Sequence, residues 1–136
     1  MRKYETLKHL ADLKIKAFGK NKEELFRNAM RGMFFGAGYE ADKKSRVFDR
    51  EINVASLDLP SLLVDFLSEL LYLCETNKEV YSDIEFGELL EKRLSGKLSG
   101  KKLKRMETQI KGVTYHNLDI HQKEDGAWEA TILFDV

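Results

Sequence analysis

The residues best suited to chemistry lie in the last stretch of the sequence, Trp128-Glu-Ala-Thr-Ile-Leu-Phe-Asp-Val136. Trp128, Ala130, Ile132 and Phe134 alternate with Glu129, Thr131, Leu133 and Asp135, the period of two that marks a strand with one buried face. A strand held in a sheet at this point brings the Asp135 side chain and the Val136 carboxylate close together. Like charges at short range oppose each other's ionisation unless a cation lies between them. The expected chemistry is therefore the holding of a cation.

Other reactive side chains are more scattered. His9, His116 and His121 are too far apart in sequence for a local zinc motif, although a fold could bring His9 and His116 together. Each reads first as a hydrogen-bonding structural residue and second as a ligand or acid–base group titrating near neutrality. Asp65 and Glu69, four apart on a predicted helix, can share a metal ion or simply face solvent. Cys74 falls on the apolar stripe of that helix and reads as a small buried hydrophobe. Five basic residues, Lys97, Lys101, Lys102, Lys104 and Arg105, form a run expected to be a solvated loop, with a phosphate or acidic-partner contact as the sharper alternative. No glycine-rich nucleotide loop, Cys-x-x-Cys or Gly-x-Ser-x-Gly elbow occurs.

Composition bounds what positions these groups. A chain of 136 residues, 43% apolar and 34% charged, predicts one globular domain over 1–136 with a proper core. Twenty-three basic residues balance twenty-three acidic ones, which argues against bulk phosphate-driven nucleic-acid binding. No run is apolar enough for a membrane span, and Met1-Arg-Lys-Tyr-Glu5 lacks the apolar core of a signal peptide. The single cysteine fits a reducing compartment, so a cytoplasmic location is expected.

Periodicity then predicts the elements. Leu13, Ile15 and Ala17 alternate with lysines as a strand entered after Asp12 and stopped at Gly19. Asn21 with Glu24 forms a capping box before the stripe Leu25, Phe26, Ala29, Met30, Met33 and Phe34, and Gly36 and Gly38 end that helix. A strand follows over Arg46 to Ala55. Ser56 or Asp58, with Pro60 in the first turn, opens a helix carrying Leu59, Leu62, Leu63, Phe66, Leu67, Leu70, Leu71 and Cys74 on one stripe. Ile84-Glu-Phe86 and Arg93 to Gly100 read as short strands, and Ile110 to Ile120 as a long one. Glu124-Asp-Gly126 turns into the final strand. The predicted class is α+β: a largely antiparallel sheet with two main helices packed on one face.

Three stretches carry a family resemblance. His9-Leu-Ala-Asp-Leu-Lys-Ile-Lys-Ala-Phe-Gly19 resembles the N-terminal His-x-Ala-Asp motif of the archease family, Gln109-Ile-Lys-Gly-Val-Thr-Tyr-His-Asn-Leu118 its Ile-Lys-Ala-Val-Thr-Tyr-His segment, and Thr131-Ile-Leu-Phe-Asp-Val136 its C-terminal strand. Leu10 replaces a common Thr and Gly112 a usual Ala; neither change removes a charge. The resemblance implies a protein cofactor of the RtcB-type RNA ligase, which joins RNA 3′-phosphate or 2′,3′-cyclic phosphate ends to 5′-hydroxyls in tRNA splicing. Such a protein promotes guanylylation of the ligase histidine and multiple turnover, is not itself the ligase, and meets tRNA indirectly through the ligase. The resemblance also implies calcium bound between Asp12 and Asp135, with a further oxygen from Val136. It makes Lys111, Asp12 and Asp135 candidates for activation-essential residues, with His116 of the matching segment beside them. Two other classes stay open: a small metal-dependent phosphohydrolase using the Asp12/Asp135 ion and His116, and an RNA-binding module using Lys97–Arg105.

Overall fold

A computed structural model describes residues 2–8 and 12–136. In chain order the elements are β1 (Tyr4–Lys8), β2 (Asp12–Gly19), α1 (Lys22–Gly36), β3 (Glu40–Ala41) and β4 (Phe48–Ala55). They continue with α2 (Leu59–Asn77), β5 (Glu79–Leu89), β6 (Arg93–Arg105), β7 (Gly112–Gln122) and β8 (Trp128–Asp135). Every strand pairing is antiparallel. The α+β class and the two main helices are as predicted. The strands, however, divide into two sheets. One has the order β1-β2-β8-β7, and the other gathers β3, β4 and β5 around the long β6.

The helices lie between the sheets, and each sheet turns one face to them. Leu13, Ile15 and Ala17 of β2 and Ala130, Ile132 and Phe134 of β8 are the inward residues of the first sheet. From the second come Ile52, Ile84, Leu94 and Leu98. Helix α1 carries buried residues nearly all round, Leu25, Phe26, Ala29, Met30, Met33 and Phe34 among them. A helix with that distribution needs cover on opposite sides, and β2 and β5 supply it. Gly32 lets α1 lie close on the first sheet: a Cβ there would stand 2.9 Å from Ile15 Cγ2 and 3.0 Å from Tyr4 Cβ.

Local chemistry sets the helix ends. The Asn21 side chain accepts from the Glu24 N–H at 2.8 Å, while the Glu24 carboxylate accepts from the Lys20 N–H at 3.2 Å, one residue earlier than a capping box requires. At the far end Gly38 takes a φ of 76°. The Gly38 and Tyr39 N–H groups donate to the carbonyls of Phe35 and Phe34, and the Tyr39 and Phe34 rings pack 5.4 Å apart. This is a Schellman close with its apolar contact. Helix α2 is capped by Asp58, whose side chain accepts from the Ser61 N–H at 2.8 Å, and ends at Lys78, a non-glycine residue at φ 56°.

Several predicted strands shift. Tyr4–Lys8 is a strand the pattern did not predict, pairing along β2 from Tyr4 opposite Ala17. The strand around Ile84 runs from Glu79 to Leu89, the one expected from Arg46 starts at Phe48, and the one expected from Ile110 starts at Gly112. The basic run is not a loop. It continues β6 to Arg105, and its inward positions include Gly96 and Gly100, which hide the apolar alternation a strand normally shows.

Candidate functional site

β2 and β8 are neighbours, and their register sets Asp12 opposite Asp135. β7 adds Gly112 to the same row, on the other side of Asp135. Residues directly opposite one another share a face, with Cβ atoms roughly 4.5–5.5 Å apart. The next row, Leu13–Phe134–Val113, faces the core, so the two carboxylates leave the outer face at one end of the sheet. Among the described residues neither enters an ion pair. Like charges placed directly across a ladder repel in general, and a bound cation relieves such repulsion. Lys14 lies one row further along this outer face, a cation whose relation to the carboxylates only the register discloses.

The Lys111 N–H donates to the Asp135 carbonyl at 2.7 Å, which fixes the backbone beside the pair while leaving the Lys111 residue exposed. Val136 is partly buried against the core. No group of three or more His, Cys, Asp or Glu side chains that could hold a metal occurs among the described residues. The side-chain donors here are therefore two carboxylates, all hard oxygen. They suit calcium or magnesium in kind and leave most of a six- to eight-oxygen shell to other donors.

His116 stands on an irregularity of β7. Thr114 is opposite Leu133 and Asp119 opposite Thr131, so Tyr115, His116, Asn117 and Leu118 face Ile132 alone. Asn117 takes a left-handed φ of 55°, and the His116 N–H donates to Thr114 Oγ1 at 2.9 Å. The bulge turns Tyr115 toward α2, where its hydroxyl meets Asp65 Oδ1 at 3.3 Å; the Ser56 hydroxyl hydrogen-bonds the other oxygen, Oδ2. Asp65 is thus held by two hydroxyls, a role that spacing along α2 did not suggest. His9 lies outside the described residues. His121 is engaged elsewhere, Nδ1 to Asp119 at 2.7 Å and Nε2 to Glu129 at 3.1 Å.

The remaining candidates resolve into structure. Cys74 is buried, and burial pushes its thiol pKa up to about 11, as befits a core residue. In the basic run Lys97 lies in register between Glu51 and Glu85, and Arg105 pairs with Glu40 at 2.8 Å. Lys102 reaches over the Phe48 ring at 6.0 Å. Cross-strand carboxylates therefore offset much of the run. Among the described residues the most buried carboxylate in an ion pair is Glu79, which Arg50 meets in a two-pronged contact at 2.9 and 3.0 Å; it is only 2% exposed and also accepts from the Tyr81 hydroxyl.

Two antiparallel sheets enclosing two helices, with an in-register carboxylate pair at the end of one sheet, define the class of fold and site. The chain matches the Archease protein family (MTH1598/TM1083) over residues 4–136 and belongs to that family. It is 39% identical to the protein archease of Methanosarcina mazei, covering 99% of this chain and 97% of that one. Against the protein archease of Pyrococcus abyssi identity is 33%, with both chains fully covered. The solution structure of Methanobacterium thermoautotrophicum protein 1598 superposes with a TM-score of 0.71 at 27% identity, covering 100% of both chains. The crystal structure of a Thermotoga maritima archease, described as a possible chaperone, has a TM-score of 0.68 at 20% identity over 100% of this chain and 98% of that one, a likeness of fold. No helix among the described residues is long and apolar enough to cross a membrane.

Proposed function

We propose that this protein is an accessory activator of an RtcB-type 3′-phosphate RNA ligase, acting in tRNA splicing by promoting guanylylation of the ligase and its multiple turnover. Membership of the archease family supports the reading, and the observation that carries it is the in-register Asp12–Asp135 pair. In this reading Asp12, Asp135 and the Val136 main-chain oxygens hold calcium, which supplies a positive centre for phosphate or carboxylate oxygens. Two side-chain carboxylates leave a hard cation under-coordinated, so oxygens from the ligase or its nucleotide complete the shell. Lys111, exposed and bonded through its N–H to the Asp135 carbonyl, offers a mobile point charge suited to phosphate, and His116 sits on the neighbouring bulge. The protein works in the cytoplasm with the ligase as its partner, touches tRNA through it, and performs no catalysis of its own.

The test mixes the purified protein with the cognate ligase, GTP and a broken RNA bearing a 3′-phosphate. Faster formation of the ligase–GMP adduct and more than one turnover per ligase are expected. Unchanged ligase turnover, or GTP hydrolysis by the protein alone, would overturn the reading.

A further inference from the structure

Between β4 and α2, on the side where Tyr115 leans across, lie two adjoining open hollows of about 420 and 520 Å³ that share Ala55 and Asp65. Large apolar groups stand exposed around them: Leu57 at 85%, Tyr72 at 61% and Tyr115 at 56%. None of the three belongs to the buried core, and grouped exposed apolar surface marks interaction sites. Asp65 and Glu69 line the hollows and no basic residue does. Arg93, which lies opposite Ala55, is already paired with Glu88 at 2.8 Å. The wall formed by β4 is a sheet edge, since β4 pairs only with β6 among the described residues. Its backbone groups facing away from β6 can therefore pair with a further strand.

We propose that this groove docks an extended, arginine- or lysine-bearing segment of a partner protein. The segment lies along the β4 edge by strand addition. Its apolar residues rest on Leu57, and its cation enters between the Tyr72 and Tyr115 rings above Asp65 and Glu69. Cation–π attraction and carboxylate pairing both select a positive charge and both reject a negative one. The β7 bulge is what brings Tyr115 into this wall, so the left-handed Asn117 backbone acquires a role in recognition. The inference is independent of the cation reading of Asp12 and Asp135.

Fluorescence anisotropy with a labelled hexapeptide of alternating arginine and valine tests this on the full chain, with an alternating glutamate–valine peptide as comparison. Binding of the arginine peptide is expected, weakened about tenfold or more by Glu69→Lys and by Tyr72→Ser. Glu124→Lys, in the exposed turn between β7 and β8, should leave it unchanged. Both Glu69 and Tyr72 sit on the outward side of α2, and circular dichroism confirms that the variants fold. Equal binding of the two peptides, equal weakening by Glu124→Lys, or no effect of the groove variants would overturn the proposal. So would self-association by sedimentation that Tyr72→Ser abolishes, because the occupant would then be a second copy of this chain.

Discussion

At Lys111 the main chain and the side chain have separate duties. Its N–H holds the Asp135 carbonyl, while under the proposed function the exposed side chain is the part that meets an incoming phosphate. Lys111→Ala should therefore lower ligase stimulation while calcium affinity, read by calorimetry, survives; Lys111→Arg should restore stimulation only in part, because a planar fork differs from a point charge. Asp135→Asn removes one of two side-chain carboxylates, and the same titration should show calcium affinity falling by about tenfold or more. Glu79 offers a pH test. The Arg50 guanidinium, against the opposing effect of burial, holds its carboxyl below the ordinary value of 4.5. A carboxylate depressed in the folded state stabilises the fold above the unfolded pKa, and the contribution is lost as pH falls through the folded one. Urea midpoints of the natural protein should fall as pH drops below about 4.5, and those of Glu79→Gln should fall less steeply.

The elements that sequence made legible are those whose ends are written in side chains. Asn21, Asp58 and Gly38 announce both helices, and the apolar stripes between them have no other use. The strands were harder to read. Tyr4-Glu-Thr-Leu-Lys8 lacks turn residues and a clear alternation, and β6 places glycines where a strand usually buries leucine or valine. The Tyr115–Leu118 bulge left no local signal, since its position is defined by the partner strand. The Asp12–Asp135 pairing came from family likeness, because register between strands so distant in sequence is invisible to periodicity. One element end is open to improvement. Lys78 closes α2 in a left-handed conformation that costs a non-glycine residue roughly 1–2 kcal/mol, partly offset by the greater freedom of unfolded glycine. Lys78→Gly should raise stability by about 1 kcal/mol in chemical denaturation.

Across the whole molecule, a cation between Asp12 and Asp135 would tie the beginning of the fold to its end. Anything that binds only the folded state stabilises it by mass action, about 2.7 kcal/mol at a hundredfold excess over Kd. Calcium at that excess should raise the melting midpoint by roughly 10 °C, chelation should reverse it, and Asp12→Asn should abolish the response. The same pairing shapes how the chain matures on the ribosome. β2 is made early, yet its neighbour β8 arrives only after α1, α2 and the strands β3 to β7 have been synthesised. In the interval Leu13, Ile15 and Ala17 sit on a two-stranded hairpin with an open edge, too small to be stable alone. The nascent chain must therefore wait with its first sheet half-built. During that wait its open edge can accept another molecule's β8, so strand exchange between neighbouring nascent chains is one route that this topology leaves open.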